Sequence, residues 1–200
     1  MRMKTEAKRQ AIIEAAIAVF REVGYERASM ATISARVGGS KATLYSYFKS
    51  KEELFAAAML DAVEADARGV IELLHSKDDD VPALMHRVGR QFVKIVRSPE
   101  SLAITRTAVA EGANVKLGTL LYERGPGRAL DQFTEFVRRL IEHGRIRPVN
   151  ERIAALHLKA LFEAGVHEPL LFGAEPELTV EEGVDAAVEV FLRAYAMPNH

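Results

Sequence analysis

The sequence contains no cysteine, which excludes disulfides, thiolate metal sites and thiol catalysis. It has no run of 18 apolar residues, so no helix is expected to span a membrane. The first ten residues, MRMKTEAKRQ, show neither an apolar h-region nor a small-residue cleavage site, so no secretion signal is expected. These absences fit a cytoplasmic protein. Signatures of catalysis are missing too: there is no His-Glu-x-x-His, no Gly-x-Ser-x-Gly and no phosphate-binding glycine loop. Glu72 and His75 have the Glu-x-x-His spacing of di-iron carboxylate bundles, but that site needs a second such pair and two further glutamates. Glu163 and His167 are four apart and do not supply it. Asp78, Asp79 and Asp80 could attract Mg²⁺, yet three acids in a loop are usually solvated. His86, His143, His157 and His167 are scattered without ligand spacing. No enzyme activity, metal or cofactor is expected.

Strand patterning is also lacking, because no stretch sustains apolar alternation. What is present is abundant Ala, Leu, Glu, Arg and Lys, the composition of helices. The expected fold is all-α, with nine helices. Apolar Ile12, Ala16, Val19 and Val23 share a stripe over 5–23, and Gly24 supplies a stop. Ser29 caps a short helix through about Val37, Gly38 and Gly39 interrupt, and Ser40 caps a second short helix to about Phe48. Ser50 and Glu53 predict a capping box for a helix running to about His75. A polar break at 77–80 precedes a helix with Pro82 in its first turn, reaching about Arg97. Further helices are expected from Ser98 to about Glu111, from Ala129 to His143, over 151–172 and over 181–195, with a break at Gly125-Pro126-Gly127.

The near-zero net charge hides an asymmetry. Residues 1–52 hold ten Lys/Arg and five acids, whereas the remainder holds seventeen and twenty-three. A basic head on an acidic body suits a chain that meets a polyanion at one end, although chance scatter of surface charge gives the same count. The two short helices over 29–48, joined by a glycine-bearing turn, have the spacing of a helix-turn-helix. On the second helix Leu44 and Phe48 fall together and should face a core. Opposite them lie Ala42 and Ser46, flanked by Thr43 and Tyr45, with Lys41 at the N-terminal end. That face is short, cationic and free of acids, so phosphates would not be repelled and base edges could be approached closely. An ordinary solvent-facing helix would look similar. Backbone N–H groups near the two helix starts, aided by the hydroxyls of Ser29, Thr32 and Ser40, could bind phosphates; the same hydroxyls also serve as caps.

The run MATISARVGGSKATLYSYFKSKEELF from Met30 to Phe55, with Ala15, Phe20, Gly24 and Tyr25 before it, resembles the DNA-binding signature of the TetR family of transcriptional regulators. The resemblance implies phosphate contacts from Tyr45, Tyr47 and Lys51, and approach to bases by Lys41, Ala42, Thr43 and Ser46. It divides the chain into a three-helix helix-turn-helix head at 1–50 and a larger ligand-binding, dimerising helical bundle at 51–200. The second part resembles the AefR-type C-terminal domain through Leu102 to Glu111, Leu121 to Leu130, Gly144 to Arg147 and Leu170 to Gly173.

Helices 151–172 and 181–195 are apolar on more than one side, so they need cover beyond their own core. A second copy in a two-fold four-helix contact supplies it, as would complete burial within one chain. The resemblance further implies a small-molecule effector in the body. Phe92, Ile95, Arg106, Val109, Tyr122, Phe133, Phe136 and Phe162 are candidate lining residues, although aromatics at helical spacing are also ordinary core. The expected function is a dimeric repressor of palindromic double-stranded operator DNA, released by a largely hydrophobic ligand. A helical protein-interaction adaptor with neither DNA-binding nor catalytic activity is the alternative.

Overall fold

The structure is a computed structural model that describes residues 5–61, 63–76, 78–110 and 115–197. Its α-helices are α1 (Glu6–Arg27), α2 (Met30–Val37), α3 (Lys41–Tyr47), α4 (Lys51–Asp61), α5 (Glu64–Leu74), α6 (Val81–Val96), α7 (Pro99–Ala110), α8 (Val115–Tyr122), α9 (Arg128–Glu142), α10 (Glu151–Glu163), α11 (His167–Leu171) and α12 (Val180–Tyr195). Among the described residues there is no strand, only an isolated bridge between Ile146 and Ala196. The all-α expectation holds. No described helix is long and apolar enough to cross a membrane.

Several expected helices are divided. The span 51–75 is α4, described to Asp61, and α5, which starts at Glu64 after Val63 as an N-cap that offers no side-chain hydrogen bond. The span 151–172 is α10 and α11, because Gly165 takes a left-handed φ of 69° between them. At Gly125-Pro126-Gly127 the opposite correction applies: the chain does not break but passes from α8 to α9 through a π-helical turn, Glu123–Gly127. Glu111 and Lys77, assigned to a helix end and to the polar break, lie outside the described residues.

The chain forms two compact units, Met1–Ala62 with Ala108–Arg124, and Val63–Thr107 with Gly125–His200. The first therefore reaches beyond residue 50 and draws in a later segment. Its core is built on α1, with Ile12, Ile13, Ala16, Val19 and Phe20 buried against α2 and α4. Phe20 and Tyr25 both meet Phe55 edge-on, at centroid distances of 4.8 and 4.7 Å. Leu117 and Leu121 of α8 are buried in the same unit, where α8 packs on α4.

The second unit gathers α6, α9, α10 and α12 around one apolar core. Phe92, Phe133 and Phe162 meet there at centroid separations of 5.1 to 6.3 Å. Gly89 lets Phe162 lie directly on α6: a Cβ at this position would stand 2.5 Å from the ring.

Candidate nucleic-acid interface

The helix-turn-helix is assembled from local signals. Ser29 Oγ accepts from Thr32 N–H at 3.1 Å and caps α2. At the other end Gly38 adopts φ 69°, a conformation that suits glycine, and Gly39 N–H returns to the Ser34 carbonyl at 3.2 Å. The buried Ser34 hydroxyl donates to the Gly39 carbonyl at 2.8 Å, which fastens the turn from within. Ser40 Oγ then accepts from Thr43 N–H at 3.1 Å and starts α3.

The two faces of α3 separate as its sequence requires. Leu44 and Phe48 are buried, whereas Lys41, Ala42, Thr43, Tyr45 and Ser46 are exposed. Neither α2 nor α3 contains an acid. The Ser46 hydroxyl donates to the Thr43 carbonyl at 2.7 Å, leaving its oxygen to accept. Ser29 and Thr32 share a hydroxyl contact at 2.8 Å, and Ser40 and Thr43 one at 2.9 Å.

Tyr47 and Lys51 have structural partners that sequence spacing did not reveal. The Tyr47 hydroxyl accepts from Thr5 N–H at 3.0 Å, joining the end of α3 to the start of α1. Lys51 Nζ donates to the Tyr25 carbonyl at 2.9 Å and lies 4.1 Å from the centroid of the Tyr25 ring. Arg36 on α2 grips Glu22 on α1 through two bonds of 2.5 and 2.8 Å. This guanidinium holds the Glu22 carboxyl below its ordinary range, and Glu22 raises Arg36 in turn. The expected capping box is present in altered form: Ser50 Oγ accepts from Glu53 N–H at 3.2 Å, but the Glu53 carboxylate takes Lys49 N–H at 2.8 Å. Glu52 is held below its usual range first by its own backbone N–H and the Ser50 hydroxyl, then by Lys116 and Lys51.

Residues 83–197 match the family profile described as AefR-like transcriptional repressor, C-terminal domain, and residues 12–58 match bacterial regulatory proteins, tetR family. The chain belongs to the TetR family of transcriptional regulators. A nicotine-responsive transcriptional repressor, HdnoR from Paenarthrobacter nicotinovorans, is 36% identical over 88 residues, 44% of this chain and 45% of that protein. The aligned stretch thus spans less than half of that relative's length. A TetR-family transcriptional regulator from Mesorhizobium loti has a similar structure, with TM-score 0.80, 26% identity and coverage of 98% of this chain and 100% of the other. The flavonoid-responsive regulator FrrA gives TM-score 0.80 at 25% identity, with the same coverage.

In this TetR-family chain the body residues singled out from sequence are divided between the two units. Phe92, Phe133, Phe136 and Phe162 are buried in the core of the second unit, with Ile95 packed against it. Arg106, also in that unit, donates to the Leu171 and Leu170 carbonyls at 3.1 and 2.6 Å. Val109 and Tyr122 belong to the first unit and are 73% and 56% exposed, so neither is an interior residue. Lys159 and Glu163, one turn apart on α10, form an ion pair in the second unit that their sequence spacing alone does not single out. Among the described residues no group of three His, Cys, Asp or Glu side chains could hold a metal ion.

Proposed function

We propose that this TetR-family regulator represses transcription by binding palindromic operator DNA as a homodimer, and that a small, largely hydrophobic effector releases it. The observation that carries the DNA reading is the division of α3. Leu44 and Phe48 anchor the helix, and its acid-free outer face presents Lys41, Ala42, Thr43, Tyr45 and Ser46 to solvent. Small residues permit close approach of the helix to a major groove, where Lys41, Ala42, Thr43 and Ser46 would approach base edges and Tyr45 a phosphate. Ser29, Thr32 and Ser40 would add hydroxyls at the helix starts. Tyr47 and Lys51, already engaged with Thr5 and Tyr25, would approach phosphates from a fixed position.

The dimer reading rests on α10 and α12, which pack together yet leave Ile153, Leu156 and Val190 exposed. Two copies meeting there would set two recognition helices on successive major grooves, about 34–36 Å apart. A relative named as nicotine-responsive and a structural neighbour named as flavonoid-responsive support a small-molecule effector. The effector would act by favouring a conformation with lower DNA affinity.

Selection of purified protein on randomised duplex DNA tests this reading. A palindrome with half-sites about one helical turn apart is expected. Thr43→Val should change the base preferred within each half-site while leaving the spacing intact. Recovery of no common sequence by a folded, effector-free protein would overturn the reading in favour of a protein-binding adaptor.

A further inference from the structure

Among its described residues the second unit holds a polar cluster beside the aromatic core. Lys159 and Glu163 lie one turn apart on α10 and form an ion pair at 2.5 Å, with side chains only 17% and 23% exposed. Lys159 Nζ also sits 5.9 Å from the centroid of Phe92, a member of the aromatic trio with Phe133 and Phe162. Gly165 then turns the chain with its left-handed φ, so that His167 at the start of α11 lies within the field of both charges. His167 Nδ1 is buried and has no hydrogen-bond partner. A buried polar atom without a partner is costly, and such sites are informative because a ligand can supply what the fold does not.

We propose that Lys159, Glu163 and His167, with Phe92 beside them, form the polar end of an effector subsite that takes a hydroxylated aromatic molecule. The inference rests on the effector-binding reading of the body and names the ligand class for it. Three chemistries can be compared. A carboxylate would accept from Lys159 but would be repelled by Glu163, which already occupies that ammonium. A cationic amine would suit Glu163 and meet Lys159 head-on. A ring hydroxyl suits Lys159 and His167 and brings no charge to oppose Glu163: it accepts from Lys159, donates to an imidazole nitrogen, and carries its ring toward Phe92. Burial is the largest influence on His167 and pushes its imidazole below the ordinary value, against the pull of Glu163. The ring therefore stays neutral near neutrality and keeps a lone pair for a hydroxyl proton.

The chain lacks tryptophan, so naphthalene emission can be followed at wavelengths beyond that of its five tyrosines. Three probes of similar size separate the chemistries: 2-naphthol, 2-naphthoate and 2-methylnaphthalene. The full-length protein should bind 2-naphthol at least about tenfold more tightly than either of the others, since a site built to bond a hydroxyl rejects analogues without it. Lys159→Met and His167→Leu should each reduce that preference to about threefold or less while circular dichroism shows retained helicity. Equal binding of the three probes, binding of none, or a preference that survives both substitutions would overturn the proposal. Should a variant fail to fold, the comparison on the unaltered protein still decides. DNA selection is scored separately: a recovered palindrome with no naphthol preference sinks the subsite alone, whereas failure to recover a palindrome sinks the regulator reading.

Discussion

Gly89 shows how much a single missing methyl group can control. A Cβ there would lie 2.5 Å from the Phe162 ring and 2.8 Å from Val184 Cγ1, both on fully buried side chains with little room to retreat. Gly89→Ala gains helix propensity, but overpacking dominates, and a net loss of about 1–3 kcal/mol is expected in denaturant unfolding. A variant at least as stable as the parent would mean that Phe162 can repack. The sequence placed Gly89 inside a helix but could not show what it meets, since Phe162 is 73 positions away. The same limit governs Lys51. Its charge and its place in the motif were legible, whereas its bond to the Tyr25 carbonyl depends on a fold that brings the start of α4 to the end of α1. Tyr25 and Lys51 together form a cation–π contact inside the first unit, so Lys51 ties the start of α4 to the end of α1.

Elements whose ends are set by neighbouring residues were read closely. The helix-turn-helix is the clearest case, because Ser29, Gly38 and Ser40 each act within five positions of themselves. Helix divisions set by packing were not. No glycine, proline or capping hydroxyl around Ala62 and Val63 announces the end of α4, and Gly165 is one residue in a long stretch rich in apolar residues. At Gly125-Pro126-Gly127 the punctuation was real but its effect was a wider helical turn rather than a break. The exposed stripe of α10 was legible as apolar surplus, and it carries a prediction at this scale. In the proposed dimer Leu156→Glu would put like charges opposite each other across the two-fold contact, so light scattering should show two chains for the parent and one for the variant. Operator affinity should fall by about a hundredfold as the two heads lose their linkage. A folded variant that keeps the mass of two chains would place the interface elsewhere.

Across the molecule, acid should act in two stages. His167 has its imidazole lowered from the ordinary 6.5, chiefly by burial. The unfolded chain therefore binds the proton more readily, and stability present at higher pH declines as the pH falls below about 6.5. Glu52, Asp78 and Glu182 have lowered carboxyls, held by hydrogen bonds and by charges such as Arg87 beside Asp78. Their contributions stay intact until the pH drops through the ordinary carboxylate range near 4.5, and are lost below it. Thermal unfolding at stepped pH should thus show a shallow decline below 6.5 that His167→Gln removes, followed by a steeper one near 4.5 that it does not. An unchanged upper stage in the variant would place the responsible proton on another group. The charge asymmetry read from the sequence concerns only residues 1–52, yet the first compact unit also includes 108–124, with Leu117 and Leu121 of α8 against α4 and Arg124 3.7 Å from Glu53. The chain thus leaves this unit, returns to it and leaves again. Transplanting another recognition segment onto this protein would require α4, and α8 behind it, to travel with the graft, because α1 packs on α4 and α4 on α8, both beyond residue 50.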